Sequence, residues 1–362
     1  LMHRSVMQCM SNFCLSLIRT ITQPKRRKKM RISQIWQELE NDPSFSHGLL
    51  LRRYSGSILA NLFVALKAPE RIRCLATSVS RNIDINVNAF SNLRDINAEL
   101  LPDQSNPDKQ ILLFELLNPQ HKDIFSVLCE DLMTSIETVS TEQALIAELF
   151  NRFEKWKSLF ETAGIQGLSG EEQRGLFGEL FLLRKLLREF KNSINVVGSW
   201  VGCEKQIRDF QYRDWSIEVK TTQGNNHQRL HISSERQLDT THLQHLFLYH
   251  LSLEPRQSTE ETLNDVVYSI RDLLRPDFRA LNRFNAKLVE GRYFDHHTTL
   301  YIDTGYIVRE ESFYHVYGDF PRIEEQDIRS GVGDVKYSII VSQASGYVQS
   351  EVEVLQNLNF NG

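Results

Sequence analysis

The stretch between residues 169 and 253 constrains the fold more than any other part of the chain. Ser169-Gly-Glu-Glu172 has the form of a capping box, with Ser169 at the N-cap and Glu172 three residues on. The helix predicted behind it runs to about Lys191, with Leu176, Phe177, Leu180, Leu183, Leu187 and Phe190 on one face. Gly175 and Gly178 interrupt it, each costing about 1 kcal/mol against alanine. Two such residues in one helix point to close approach by a neighbouring element. Runs of β-type residues at 206–212 and 215–222 flank a polar turn at Arg213-Asp214, which predicts a hairpin. After a second turn at 223–226 come a strand at 229–233, a helix opening at Ser234 and an apolar strand at 246–253. The order α-β-β-β-α-β predicts an α/β (α+β) fold around a mixed central sheet.

The flanking chain divides around this core. Residues 30–160 read as an N-terminal α/β region, 161–255 as the core, and 256–362 as a C-terminal α/β region completing or flanking it. The first region holds a strand at 111–116 and a helix at 142–160, with Leu145, Leu149, Phe153 and Trp156 on one face. Residues 101–108 are loop-forming by their Pro, Asn and Asp content. The last region reads as helices at 260–275 and 277–288, followed by strands at 298–303, 313–317 and 336–342.

Residues 1–29 differ from the rest. They carry seven basic side chains and no acid, whereas the remaining chain carries 35 basic and 46 acidic ones, a net of −11. Leu1 is not an initiator residue, and Met30 opens a fresh helical run. The expectation is a basic leader outside the fold; a transit peptide and a nucleic-acid arm are the other readings of such a segment. Cys9, Cys14, Cys74, Cys129 and Cys203 show no zinc-type spacing, so a reducing, cytoplasmic compartment is expected, with buried single thiols at Cys74, Cys129 and Cys203, the three beyond the leader. No 18-residue apolar run exists, so no membrane-spanning helix is expected.

The chemistry sits in the hairpin. Glu218 and Lys220 leave the same face of one strand, opposite Ile217, Val219 and Thr221. Asp209 lies on the preceding strand, where cross-strand pairing brings it beside Glu218. Two converging carboxylates suit a hard divalent cation, Mg²⁺ above all, with Mn²⁺ able to substitute. Lys220 is placed to orient or deprotonate a water and to offset charge on phosphorus. Glu179, in the capped helix, could reach the same ion.

These residues resemble the core of the PD-(D/E)xK nucleases, and more closely a bacterial group of uncharacterised members of that superfamily. The resemblance rests on 168–183, Trp200, Asp209-Phe210, Ile217-Glu-Val-Lys-Thr-Thr222 and Ile232-Ser-Ser-Glu-Arg-Gln-Leu238, and extends from Met30 to near the C-terminus. It implies a restriction-endonuclease-like fold and a metal-dependent DNA endonuclease of a restriction or anti-phage system. By position, Asp209, Glu218 and Lys220 match the metal and catalytic places, and Glu179 the helical glutamate. Arg208 stands where the name-giving proline would be. DNA is the implied substrate, and other defence proteins or a second copy of the chain are the implied partners. Thr222, Gln223 and Arg229, beside the metal strand, are the expected substrate contacts.

Other constellations are weaker. Asp319-Phe320 with Asp334-Val-Lys336 copies the spacing but lacks a preceding glutamate helix. His242 and His245 lack a third clustered ligand for zinc. A serine triad has no nucleophile-elbow motif. The alternative function is a non-cleaving DNA-binding or assembly subunit that retains the fold, consistent with the −11 body; RNA as substrate is a further one.

Overall fold

The computed structural model describes residues 18–21, 32–54, 61–87, 90, 95–136, 139–162, 167–204, 206–223, 229–257 and 260–360. The chain forms two compact units, residues 1–165 and 166–362.

The first unit is built on a six-stranded sheet. Its strands are β1 (Ile18–Ile21), β2 (Gly48–Arg53), β3 (Asn61–Ala68), β4 (Ile72–Ser80), β5 (Ile96–Pro102) and β6 (Lys109–Leu116), in the order β1-β2-β3-β4-β6-β5. All neighbours are antiparallel except β1 and β2. Thus four residues of the basic leader form a strand, and the rest of it, with Cys9 and Cys14, lies outside the described residues. Helix α1 (Ile32–Glu40) buries Ile32, Ile35, Trp36 and Leu39, and Trp36 Nε1 donates to the Ala65 carbonyl at 3.0 Å. Helices α2 (Lys122–Ser135) and α3 (Glu142–Thr162) follow, and the predicted stripe Leu145, Leu149, Phe153 and Trp156 is buried. Leu101 and Pro102, read as loop, instead end β5.

The second unit carries the predicted core. Helix α4 (Gly170–Glu189) starts at the Ser169 cap, with both arms of the capping box formed. A short helix, α5 (Ser193–Ser199), precedes β7 (Phe210–Tyr212) and β8 (Trp215–Gln223). These two strands form the predicted hairpin, turning through Arg213 at a φ of 53°. β9 (Arg229–Ile232) leads through one 3-10 turn, Glu235–Leu238, to β10 (His245–Gln257). Helices α6 (Leu263–Leu274) and α7 (Phe278–Glu290) are followed by β11 (Thr304–His315), β12 (Tyr337–Ile340), β13 (Val348–Gln349) and α8 (Glu351–Asn357).

One sheet runs in the order β13-β11-β10-β8-β7, with β8 and β10 parallel and its other pairs antiparallel. The C-terminal strands β11 and β13 therefore belong to the same sheet as the hairpin. The fold is mixed α/β, as the sequence predicts. A parallel pair needs a crossover, and β9 with the 3-10 turn lies on it. β9 pairs with β12 in a separate two-stranded sheet.

The large sheet buries both faces, with side chains alternating along β10. Phe247, Tyr249, Leu251 and Leu253 join the helices' core with Leu180 and Leu183. Leu246 and Leu248 join Leu230, Ile232 and Ile339 of the small sheet. Gly178 lets α4 press onto β8, since a Cβ there would lie 2.4 Å from Thr221 Cγ2. Gly175 has no such neighbour, so the close-approach reading holds for one glycine of the two.

Three local readings change. Residues 298–303 are not a strand; 3-10 helix Asp295–Leu300 and a turn occupy them, with Tyr301 buried and its hydroxyl accepting the Leu168 N–H at 2.9 Å. The helix opening at Ser234 stops after the single turn Glu235–Leu238. β7 begins at Phe210, leaving 206–209 outside the strand.

Candidate active site

The shortness of β7 shapes the site. Beyond the Phe210–Ile217 pair, the edge of β8 has no strand beside it, and the Asp209 carboxylate takes that place. Its Oδ2 accepts the Val219 amide at 2.7 Å. The Asp209 carbonyl accepts the amides of Val201 and Gly202 at 2.8 and 3.0 Å. Asp209 is thereby held from both sides, with Oδ1 turned to Gly202.

Glu179 follows the closely packed Gly178 on α4, and its Oε2 accepts Trp200 Nε1 at 2.7 Å. A Cβ on Gly202 would lie 2.6 Å from Asp209 Oδ1 and 2.8 Å from Glu179 Oε2. Both carboxylates thus close around a spot that only a residue without a side chain leaves free. Buried Lys287 supports the segment, donating to the Trp200 carbonyl and, at 2.6 Å, to Glu204.

On β8, Glu218 is 1% exposed. Its Oε1 takes both the Lys220 ammonium, at 2.6 Å, and Gln237 Nε2, at 2.7 Å. Its Oε2 is buried with no hydrogen-bond partner. A buried carboxylate oxygen left bare carries a full desolvation penalty, so it calls for an occupant.

Charge follows burial. Glu218 is pushed up to about 8, by burial first and then by the Asp209 charge, against the pull of Lys220. Burial also raises Glu179 well above the usual carboxylate range, with Asp209 adding to it and the Trp200 hydrogen bond opposing. Asp209 is raised by burial, opposed by the Val219 amide and Lys220. For Lys220, burial disfavours the ammonium, but Glu218, Asp209 and Glu179 together hold its value above that of an ordinary lysine.

Glu179, Asp209, Glu218 and Lys220 therefore converge. Thr222 continues the same face of β8, its hydroxyl 2.8 Å from His250 Nε2. Gln223 is exposed and accepts Arg174 Nη1 at 2.6 Å. Arg229 is exposed at the start of β9, on the small sheet. Asp319, Asp334 and Lys336 are exposed and make no comparable cluster. Arg184 and Lys185 of α4 are occupied in ion pairs, with Glu261 and with Glu311 and Glu351. Cys74, Cys129 and Cys203 are free and buried. No helix among the described residues is long and apolar enough to cross a membrane. Gln237, Gly202 and Lys287 had no individual sequence signal, because their roles depend on which elements meet.

Among the described residues, no group of three or more His, Cys, Asp or Glu is gathered closely enough to hold a metal ion as it stands. The donor set nevertheless fits a hard divalent cation. It is all oxygen, and it includes the bare Glu218 Oε2.

Gly202→Ala tests the crowding at Asp209 and Glu179. Its methyl would press on the two carboxylate oxygens and, at 3.1 Å, on Asp209 Cα. Overpacking of this kind costs about 1–3 kcal/mol. The variant is expected to fold with a lowered melting temperature and to bind Mn²⁺ at least about tenfold more weakly by calorimetry. Wild-type affinity would remove Asp209 and Glu179 from the ion's surroundings.

A family model described as "Putative PD-(D/E)XK family member (DUF4420)" matches residues 32–342. No curated protein and no solved structure gives a significant match.

Proposed function

The chain belongs to this PD-(D/E)XK family, and from that premise we propose that it is a metal-dependent DNA endonuclease hydrolysing phosphodiester bonds. Mg²⁺ is the proposed ion, with Mn²⁺ as substitute, and a restriction or anti-phage system is the proposed setting. One observation carries the reading. Glu218 has one oxygen occupied by Lys220 and Gln237 and the other buried and bare, and burial first and then the Asp209 charge raise it.

Asp209 and Glu218 would hold the ion, with Glu179 beside them. A bound divalent cation supplies a Lewis acid for the phosphoryl oxygen and lowers the pKa of a water. The Lys220 ammonium stands 2.6 Å from Glu218 and orients the attacking water toward phosphorus. Its charge offsets the negative charge that develops on the phosphoryl oxygens. Asp209 keeps its place because Val219, Val201 and Gly202 hold it independently of any ion. Trp200 does the same for Glu179.

The test is incubation of supercoiled plasmid with the full chain and Mg²⁺ or Mn²⁺, with a chelator control. Nicking or linearisation that the chelator stops is the expected result. Metal-dependent cutting that persists in both Glu218→Ala and Lys220→Ala would overturn the assignment. Tight DNA binding without cutting, unchanged by Asp209→Ala, would favour the non-cleaving subunit. Parallel RNA substrates separate the two nucleic acids.

A further inference from the structure

Arg208 stands at the position of the name-giving proline, and its guanidinium grips backbone carbonyls through Nε and Nη2. Nε donates to the Gln237 carbonyl at 3.0 Å, and Nη2 to the carbonyls of Arg236, at 3.1 Å, and Asp239. These are carbonyls at the end of the 3-10 turn Glu235–Leu238, where a helical turn runs short of amides of its own; only the Arg236 carbonyl also takes a backbone N–H, from Asp239 at 3.4 Å. Cations are favoured there. The other end of the turn is fixed too. The Ser234 hydroxyl accepts the Arg236 amide at 3.3 Å, and buried Glu235 accepts the Val335 amide at 2.9 Å.

The turn presents Gln237 to the site. Gln237 Oε1 accepts the Ser233 amide at 2.8 Å and Lys220 Nζ at 3.3 Å, and its Nε2 donates to Glu218 Oε1 at 2.7 Å. Only one orientation of the amide satisfies all three, since two partners are donors and one is a carboxylate. Gln237 therefore fixes which Glu218 oxygen stays bare and where the Lys220 ammonium sits.

We infer that Arg208 is a positioning residue that works through the 235–238 turn and Gln237 to set the geometry of Glu218 and Lys220. The inference rests on the reading of these residues as a metal-dependent site. A proline would supply none of these donors. A lysine would supply a charge but not a planar fork that spans several carbonyls.

The full chain is compared as wild type, Arg208→Lys, Gln237→Ala and the double variant, with thermal melting to verify folding. Mn²⁺ affinity is read by calorimetry, and hydrogen exchange over 233–239 is read in metal-free protein. Gln237→Ala is expected to weaken Mn²⁺ binding about ten- to a hundredfold, and Arg208→Lys to a similar extent. The double variant is expected to lose no more than the worse single one, because both act along one path. Exchange over 233–239 is expected to rise at least about tenfold in Arg208→Lys and, in Gln237→Ala, at the Ser233 amide alone. Additive affinity losses, or unchanged exchange in Arg208→Lys, would overturn the inference. If wild type takes up no Mn²⁺, the proposed function falls, and the exchange result alone decides whether Arg208 holds the turn. Should Arg208→Lys not fold, Arg208→Gln, a donor without charge, takes its place.

Discussion

Lys220→Ala is expected to lower plasmid cleavage about 10²- to 10⁴-fold while leaving Mn²⁺ binding as tight as in wild type or tighter. The rate loss is the usual size for a positioned proton-transfer or charge-stabilising group. The affinity should not fall, because the ammonium and an ion would share Glu218, and removing Lys220 removes that competitor. Glu218→Ala is expected to behave differently, losing both binding and cleavage, since its bare Oε2 goes with it. Calorimetry and a cleavage time course on the same preparations distinguish the two. Unaltered cleavage in Lys220→Ala would exclude the lysine from the chemistry.

The second large effect concerns pH and needs no nucleic acid. Glu218 rises from an ordinary 4.5 to about 8 on folding. Over that interval the native protein keeps a proton that the unfolded chain has released. Where the native state binds more protons, stability falls as pH rises. The metal-free protein is therefore expected to be most stable near the acid end and to weaken through about pH 8. Glu179 and Asp209 are raised as well and push the same way. Lys220 titrates above its ordinary 10.5, so its own contribution is lost only at higher pH. At about 1.4 kcal/mol per pH unit, Glu218 contributes a loss on the order of 3 kcal/mol. For a unit of this size that is a melting temperature lower by roughly 6–12 °C at pH 8 than at pH 5. Glu218→Gln should flatten the profile, and Mn²⁺ should restore most of the loss at pH 8, because ions bind the deprotonated carboxylate. A flat profile for metal-free wild type would contradict the buried, proton-holding cluster.

The parts legible in the sequence were those governed by neighbouring residues. The Ser169 capping box, the α3 stripe through Trp156 and the 215–222 strand depend on local spacing, and each stands where the spacing puts it. The alternation that places Glu218 and Lys220 on one face is likewise local. Residues 298–303 show the limit. Their Thr-Thr-Leu-Tyr-Ile run looks like a strand, yet Tyr301 is drawn into the core to meet the Leu168 amide, which winds the segment into a 3-10 turn. Ser234 is likewise a true cap, but the following residues are held by Arg208 and Val335, so no longer helix forms. Gly202 could not be singled out at all, and Gln237 stood out only as part of the 232–238 motif with no role of its own, since each matters through side chains distant in sequence.

The crossover between the parallel strands has a further consequence, for the time at which the site is completed. β9 finds its partner β12 only more than a hundred residues later, through the Ile232–Tyr337 and Arg229–Ile340 pairs. Glu235, on the turn that carries Gln237, binds Val335 from the same late stretch. A growing polypeptide emerges from the ribosome at about 5–20 residues per second, so the turn is synthesised roughly 5–20 s before the segment that anchors it. The candidate carboxylates Glu179, Asp209 and Glu218 thus precede by more than a hundred residues the stretch that anchors the turn beside them. The proposed centre can therefore be completed only once residues 335–340 have been made.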